Sequence, residues 1–142
     1  MKIAVASDHG GLTLKNSLVD FLEQQGHEIV DFGTTTAESC DYPDFVRPAA
    51  EAVASGSCQR AIVCCTTGIG ASIVANKVRG VRCALCHNAD MASMTRHHND
   101  ANVLALGQKY VTAETAQQIA AIFLSTPFDG GRHATRVGKI EK

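Results

Sequence analysis

The sequence predicts an α/β protein in which a five-stranded parallel sheet lies between two layers of helices. Short apolar segments alternate with helical patterns along the whole chain, and this alternation is typical of strand–helix–strand units. The segments are almost continuously apolar, as expected of parallel strands that are covered on both faces. A chain of 142 residues fits one domain, which buries roughly 70% of its unfolded surface. We therefore expect a single three-layer domain over residues 1–142, with strand order 2-1-3-4-5.

Five short segments rich in β-branched and aliphatic residues predict the strands. In chain order they are Lys2–Ala6, Glu28–Asp31, Arg60–Cys64, Val81–Leu85 and Val103–Leu106. Apolar residues at 3.6-residue spacing predict five helices. In chain order these lie at about 12–22, 45–53, 71–78, 89–97 and 113–124. Each helix falls between two strands or after the last strand, as parallel connections require.

The composition argues against several classes of partner. A formal charge of −1 offers no electrostatic attraction to nucleic acid or to an anionic membrane. Aromatic residues make up only 5% of the chain, which also disfavours stacking on bases. Apolar runs fall short of the ~20 residues of a membrane span, and the first residues lack the pattern of a signal peptide. We expect a cytoplasmic protein that binds neither nucleic acid nor membrane.

Six cysteines would suggest a disulfide framework in a small secreted chain. Because the sequence shows no export signal and predicts a core that is stable without disulfide bonds, reduced thiols are the favoured interpretation. We interpret Cys40, Cys58 and Cys64 as core residues, because free cysteine is among the most buried residue types. Adjacent Cys64 and Cys65 would point to opposite faces of a strand, which makes them poor partners for a disulfide.

Two loops follow the strands that flank the expected reversal of strand order, where ligands of open α/β sheets bind. Ser7–Gly11 follows the first strand and Cys65–Gly70 follows the third, so an acid, a histidine, a thiol and a hydroxyl would share one crevice. Gly68 and Gly70 lead into a helix whose first N–H groups favour a negative oxygen, although a simple tight turn explains them equally well. Cys65 lies where those N–H groups begin, a setting that favours a reactive thiolate.

The segment Cys83-Ala84-Leu85-Cys86-His87 matches the C-x-x-C-H pattern of haem attachment, which would indicate an electron carrier. However, the first half of the motif lies in a predicted central strand. Zinc binding by the same residues lacks a fourth ligand and a second C-x-x-C pair. Chance strand residues are the favoured interpretation, and we expect no metal or other cofactor.

Two polar clusters lie in the second half of the chain. The run Arg96–Asp100 follows the fourth predicted helix. Cations at a helix carboxyl terminus account for its first two residues, whereas His98 and Asn99 also offer acid–base and amide chemistry. Further on, Arg132 and Arg136 are four residues apart and share one face if the segment is helical. That spacing suits a fork around phosphate, and a solvated surface pair explains it equally well.

Taken together, these stretches resemble the type B ribose-5-phosphate isomerases and the related galactose-6-phosphate isomerase subunits. The likeness covers nearly the whole chain, and several ordered motifs at similar spacing make it specific. The motifs are Ser7–Gly11, Asp41–Pro43, Cys65–Gly70, Ala75–Lys77, His98–Leu104, and Gly130–His133 with Arg136. The resemblance implies a Rossmann-like fold and a metal-free aldose–ketose isomerase of sugar phosphates, foremost ribose 5-phosphate. It also implies a homodimer or dimer of dimers, with a C-terminal tail at about 126–142 that packs on a partner subunit.

The resemblance implies roles for individual residues as well. Cys65 corresponds to the base that moves a proton between C1 and C2, and Thr67 to a residue that holds the enediolate oxyanion. His98 corresponds to the residue that opens the sugar ring, and Asp8 is counted with these catalytic residues through its contact with the substrate. The expected substrate-binding positions are His9, Tyr42, Gly68, Gly70, Asn99, Lys109, Arg132 and Arg136.

Two positions depart from the family pattern. Thr66 stands where the family usually has glycine, and its side chain would crowd the sugar. Lys109 stands where arginine is more common, so a bidentate phosphate contact becomes a point charge. A tetrose, another pentose or a hexose phosphate such as galactose 6-phosphate is therefore the alternative substrate. A non-catalytic sugar-phosphate-binding subunit is the rival class.

The direction of the chain places the candidate residues at opposite ends of the parallel strands. We call the carboxyl ends of the strands the upper edge of the sheet and their amino ends the lower edge. Asp8 and Cys65 follow strands and therefore belong to the upper edge, whereas His98 precedes the fifth strand and belongs to the lower edge. A five-residue strand is ~16 Å long, which is too far for direct proton relay. If His98 is catalytic, we expect it to act on a neighbouring subunit, in a two-fold dimer with two composite sites.

Overall fold

A computed structural model describes residues 1–141, and residue 142, the last of the predicted tail, lies outside the described part. The strands are β1 (Lys2–Ser7), β2 (Glu28–Asp31), β3 (Arg60–Cys65), β4 (Cys83–Leu85) and β5 (Val103–Gly107). The helices are α1 (Leu12–Gln24), α2 (Tyr42–Ala54), α3 (Ile69–Ala75), α4 (Ala89–Asn99), α5 (Ala113–Ser125) and α6 (Arg132–Val137). All strand pairs are parallel, which confirms the predicted fold class.

The strand order differs from the prediction at one edge of the sheet. The observed order is β2-β1-β3-β5-β4, so the predicted order 2-1-3-4-5 is wrong for its last two strands. β5 is buried at every residue, whereas β4 has only three residues and all are half-buried. A continuous apolar strand gains most from neighbours on both sides, and short strands suit sheet edges. β5 therefore pairs directly with the strand that carries Cys65.

Successive residues of the central strands point into two separate cores. One core lies beneath α1, α4 and α5 and includes Ile62, Cys64 and Leu104. The other lies beneath α2 and α3 and includes Val63 and Cys65. The two thiols predicted to face apart do face apart.

The ends of several elements differ from the sequence prediction. β1 and β3 each extend one residue further, so Cys65 is the last residue of its strand rather than the first of a loop. β4 begins only at Cys83. The segment with the two arginines forms its own helix, α6. Among residues 1–141, no helix is both long enough and apolar enough to cross a bilayer.

All six cysteines are free thiols. Cys58 and Cys64 are buried core residues, as predicted, whereas Cys40 is half-buried in a loop and belongs to neither core, so its interpretation as a core residue is wrong. Within the C-x-x-C-H motif, Cys83 is half-buried on β4, Cys86 is buried, and His87 is exposed. In the part of the chain that the structure describes, these three side chains do not converge on a common point. The motif therefore consists of an edge strand and the turn that follows it.

Candidate active site

Cys65 ends β3 at the upper edge of the sheet, with its thiol turned towards α3. Its side chain is nearly buried, at 5% exposure, and Sγ accepts a hydrogen bond of 3.1 Å from the backbone N–H of Gly68. An N–H aimed at sulfur stabilises the negative charge of a thiolate. For the preceding thiol, burial and the adjacent Cys65 raise the pKa of Cys64 above its usual value.

The loop after Cys65 turns sharply at a residue that must be glycine. Gly68 adopts the left-handed conformation with φ 75°. A Cβ there would lie 2.6 Å from Leu85 Cδ1 and 2.8 Å from the carbonyl carbon of Leu106, so both conformation and space exclude a side chain. Thr67 Oγ1 accepts a hydrogen bond of 3.3 Å from Ile69 N. This turn directs the Gly68 N–H at the thiol and begins α3.

Asp8 lies beside this loop, immediately after β1. Its carboxylate is buried and accepts a hydrogen bond of 3.1 Å from Gly11 N. The preceding residue, Ser7, exchanges two backbone hydrogen bonds of 2.7 Å with Gly33 and Thr34. These bonds hold the end of β1 against the segment that leads into α2, and Asp8 is thereby fixed at the upper edge.

A buried lysine supports the same segment from below. The side chain of Lys15 is fully buried. Its Nζ lies 2.7 Å from both carboxylate oxygens of Asp31 and donates to the Thr34 carbonyl at 2.8 Å. Asp31 also accepts from Gly33 N at 2.8 Å. Because a buried ammonium needs this full set of partners, the 33–34 segment has little freedom to move.

The cavity at the upper edge has a volume of about 450 Å³. It is lined by Asp8, Tyr42, Cys65, Thr66, Thr67, Ile69, Gly70 and Ile73. The ring of Tyr42 lies over Gly70, where a Cβ would come within 2.7 Å of the ring. The lining therefore combines polar groups with two exposed isoleucines of α3. The pattern of α3 gives no sign of this exposure, since isoleucines four apart read as core residues.

The remaining predicted residues of the upper edge lie around this cavity. His9 is exposed, and its Nδ1 accepts a hydrogen bond of 3.2 Å from Cys40 N. Lys109 is exposed, and its backbone N–H donates to the Thr66 carbonyl at 2.9 Å. Lys109 thus lies at the upper edge with Cys65, whereas Arg132 and Arg136 lie at the lower edge.

The other predicted residues gather at the lower edge. A second cavity of about 420 Å³ is lined by His98, Asn99, His133, Arg136, Val137 and Ile140. The rings of His98 and His133 stack in parallel, with centroids 4.4 Å apart. Burial, together with the nearby positive charges of His98, Arg132 and Arg136, lowers the pKa of His133. His133 belongs to the Gly130–His133 motif, but its contact with His98 depends on how α6 packs on α4.

Asp100 has a structural role that the sequence did not predict. It ends α4 in the left-handed conformation with φ 46°. Its carboxylate pairs with Arg96 at 2.8 Å and with Arg82 at 3.2 Å. These ion pairs hold the end of the helix, and they set the positions from which His98 and Asn99 project.

The sheet register measures the separation of the two groups of residues. Ala61 pairs with Val103, and Cys65 pairs with Gly107, while Ala61 N donates to the Asn102 carbonyl at 3.2 Å. The segment after His98 therefore meets β3 four residues before Cys65, which is about 13 Å along a strand. Within one chain the structure brings together Asp8, Tyr42, Cys65 and Thr67 but leaves His98 at the opposite edge, as expected from chain direction.

Comparison with known proteins places this arrangement in a family. Residues 3–140 match the family described as Ribose/Galactose Isomerase. The ribose-5-phosphate isomerase B of Clostridium thermocellum is 57% identical and superposes with a TM-score of 0.98, covering 99% of this chain and 95% of that one. The Mycoplasma genitalium ribose-5-phosphate isomerase B, solved with bound ribulose-5-phosphate, is 40% identical with a TM-score of 0.94, covering 98% and 93%. A D-erythrulose-4-phosphate isomerase from Pectobacterium atrosepticum is 40% identical over 141 residues, covering 99% of this chain and 93% of that protein.

Proposed function

This chain belongs to the ribose/galactose isomerase family, and on that premise we propose that it interconverts ribose 5-phosphate and ribulose 5-phosphate. The observation that carries the proposal is the position of Cys65. Its thiol ends a central strand, accepts the Gly68 N–H, and lines a cavity together with Asp8 and Tyr42. The free state of all six thiols fits a reducing compartment such as the cytoplasm.

The reaction needs a base and a stabilised oxyanion, and the upper cavity supplies candidates for both. The Cys65 thiolate removes the proton from C2 of the open-chain aldose to give an enediolate. The hydroxyl proton of O2 then moves to O1, and the Cys65 thiol returns its proton to C1. A positioned general base typically contributes ~10²–10⁴-fold to the rate. Thr67 and the N–H groups of its loop lie beside the thiol to hold the enediolate oxygen, and one such donor contributes ~10²–10³-fold.

The lower cavity supplies the remaining functions from a second copy of the chain. His98 opens the sugar ring, Asn99 binds its hydroxyls, and Arg132 and Arg136 bind the phosphate. The two arginines are exposed on α6 and thus are accessible to a partner. A two-fold dimer, alone or within a dimer of dimers, then carries two composite sites. The C-terminal tail packs on its own α4 through the His98–His133 stack, and we propose that it also contacts the partner.

The identity of the sugar depends on how much space the Thr66 side chain leaves for it in the upper cavity. A Cβ built on Gly10 would overlap the Thr66 hydroxyl, so the threonine side chain lies directly against the Ser7–Gly11 loop. Thr66 also lines the upper cavity together with Cys65, so its side chain occupies space in the site that a glycine would leave open. A family relative acts on D-erythrulose 4-phosphate, and a tetrose phosphate is accordingly the strongest alternative substrate, ahead of another pentose or a hexose phosphate.

The test is a panel of tetrose, pentose and hexose phosphates, followed by NMR in D₂O. We expect interconversion of ribose 5-phosphate and ribulose 5-phosphate at the highest kcat/KM of the panel, with deuterium entering C2 of the aldose. A higher kcat/KM for the tetrose phosphates would show that a tetrose phosphate is the substrate, while the type of reaction would remain aldose–ketose isomerisation. Binding without turnover of any member would instead favour the non-catalytic subunit.

A further inference from the structure

Three potential metal ligands meet at the lower edge of the sheet. The ligand atoms of His98, Asp129 and His133 all lie within 4.8 Å of one another. His98 and Asp129 are exposed, so a solvated ion can reach them, whereas His133 is buried. Among residues 1–141, this is the one group of three His, Cys, Asp or Glu side chains with such proximity. We propose that these residues form a binding site for Zn²⁺ or a similar divalent transition metal.

The donor set suits this class of ion. Imidazole nitrogen is a preferred ligand of Zn²⁺, Cu²⁺ and Ni²⁺, and two histidines with one carboxylate leave a position open for water or another ligand. Alkaline-earth ions prefer all-oxygen sites and are not expected here. Arg132 and Arg136 lie close by and oppose a cation, and the carboxylate of Asp129 offsets part of this repulsion.

The carboxylate is already oriented by a neighbour. His97 Nδ1 lies 2.6 Å from Oδ1 of Asp129, and the backbone N–H of Asp129 donates to the His97 carbonyl at 3.2 Å. The second carboxylate oxygen therefore remains for the metal. Histidine–carboxylate contacts of this kind orient ligands in metal sites and raise their affinity.

One movement is required before all three groups can bind the same ion. The stacked rings, inclined by only 11°, direct their nitrogens side by side instead of towards one point. Zinc–nitrogen bonds are about 2.0–2.1 Å long, so the ligand atoms must also approach one another. His98 is exposed and can rotate about its Cβ–Cγ bond, while His133 stays in place.

Metal binding would have a functional consequence that rests on the proposed function. If His98 opens the sugar ring, a metal on its imidazole removes the nitrogen that the reaction needs. Zinc would then inhibit the isomerase, and a chelator would restore activity. The metal is thus an inhibitor that competes for a catalytic group and takes no part in the reaction.

The site can be tested by isothermal titration calorimetry with ZnCl₂ on the full chain, in a buffer with a phosphine reductant. Asp129→Asn keeps the shape and the acceptor for His97 but loses the charge, and His133→Asn removes a ligand. We expect each to weaken zinc binding by ~10-fold or more, since even outer-shell changes cost ~10–100-fold. His87→Asn, which removes an exposed histidine of the C-x-x-C-H motif, is the matched control and should bind zinc like the wild type.

Zinc affinity that is unchanged in both Asp129→Asn and His133→Asn would overturn the site, as would loss of binding only in His87→Asn. Activity separates the site from the proposed function. Inhibition of the wild type, with Asp129→Asn resistant at the same zinc concentration, supports both. Zinc binding that is lost in Asp129→Asn but leaves wild-type activity intact supports the site and contradicts the catalytic role of His98.

Discussion

Cys64 and Cys65 are adjacent in the sequence and lie in different cores, on opposite faces of the sheet. Cys64 is fully buried beneath α1 and α5, while Cys65 reaches the cavity that Asp8 and Tyr42 also line. Because β-strand side chains alternate between faces, a one-residue shift in register would exchange the two thiols. Their different environments predict different effects of the same substitution.

Cys65→Ala should abolish isomerisation, with a loss of at least the ~10²–10⁴-fold that a general base contributes. Affinity for a phosphate ligand should stay within a few-fold, since the thiol binds no phosphate. Cys64→Ala is the matched control and should retain most activity, with a lower unfolding free energy from the lost core volume. The measurements are kcat/KM and ligand titration for both variants. An inactive Cys64→Ala beside an active Cys65→Ala would place the base on the other face.

Mixing two inactive variants should restore activity if the site is composite. A heterodimer of Cys65→Ala and His98→Ala holds one intact site and one doubly damaged site. Random pairing makes half of the dimers mixed, so activity after co-refolding should approach roughly one quarter of the wild type, given closed two-fold interfaces. Refolded wild type and the separate variants are the controls. An inactive mixture in which heterodimers are detected would rule out the composite site.

Treatment with EDTA should leave the isomerase active, because the proposed acid–base and oxyanion roles all belong to side chains and backbone groups of the chain. The measurement is kcat/KM before and after dialysis against the chelator, with added Zn²⁺ as a second arm. An increase on chelation would agree with the inhibitory site at His98. Loss of activity that zinc restores would contradict the prediction and direct attention back to Cys83, Cys86 and His87.

Gly68→Ala should destabilise the protein and lower activity. The left-handed backbone costs a non-glycine residue ~1–2 kcal/mol, and the overlap with Leu85 and Leu106 adds ~1–3 kcal/mol. Gly80→Ala is the matched control, because Gly80 has φ 85° and open space around a Cβ, so it carries only the backbone cost. Urea unfolding measures the stability of both variants, and kcat/KM measures their activity. Equal losses of unfolding free energy in the two variants would show that the overlap with Leu85 and Leu106 adds nothing to the backbone cost.

Stability should fall above pH 9 because of the buried thiols. Burial raises the pKa of the Cys64 thiol above its ordinary value of 9.0, so the folded state keeps a proton that the unfolded state releases. The contribution of the protonated thiol to the unfolding free energy is therefore full below pH 9, and it decreases as the pH rises towards the pKa of the thiol in the folded state. Each such thiol changes the unfolding free energy by up to ~1.4 kcal/mol per pH unit.

The variant Cys64→Ala checks this assignment, since its unfolding free energy should fall less steeply between pH 9 and 10.5 than that of the wild type. Cys86, whose pKa burial raises to about 11, contributes the same kind of slope and remains in both proteins. Identical slopes in urea titrations of the two proteins would mean that Cys64 does not stay protonated in the folded state.

Local sequence patterns were sufficient for the fold class and for the positions of the candidate residues along the strands. Apolar runs that alternate with helical spacing predict a parallel sheet because each signal depends on nearest neighbours in the chain. Chain direction then assigns Cys65 and Asp8 to one edge and His98 to the other, since all parallel strands run the same way. The register confirms both assignments.

The tertiary structure alone decided which strands are neighbours, and with them which side chains meet. Strand order depends on competition between β4 and β5 for the central position, and it was settled by the burial of the whole of β5. As a result Lys109 follows the strand next to Cys65 and bonds to Thr66, instead of lying one strand further away. The stack of His133 on His98 and the overlap of Thr66 with Gly10 likewise join segments distant in sequence. Such contacts depend on packing in three dimensions, which a one-dimensional pattern does not encode.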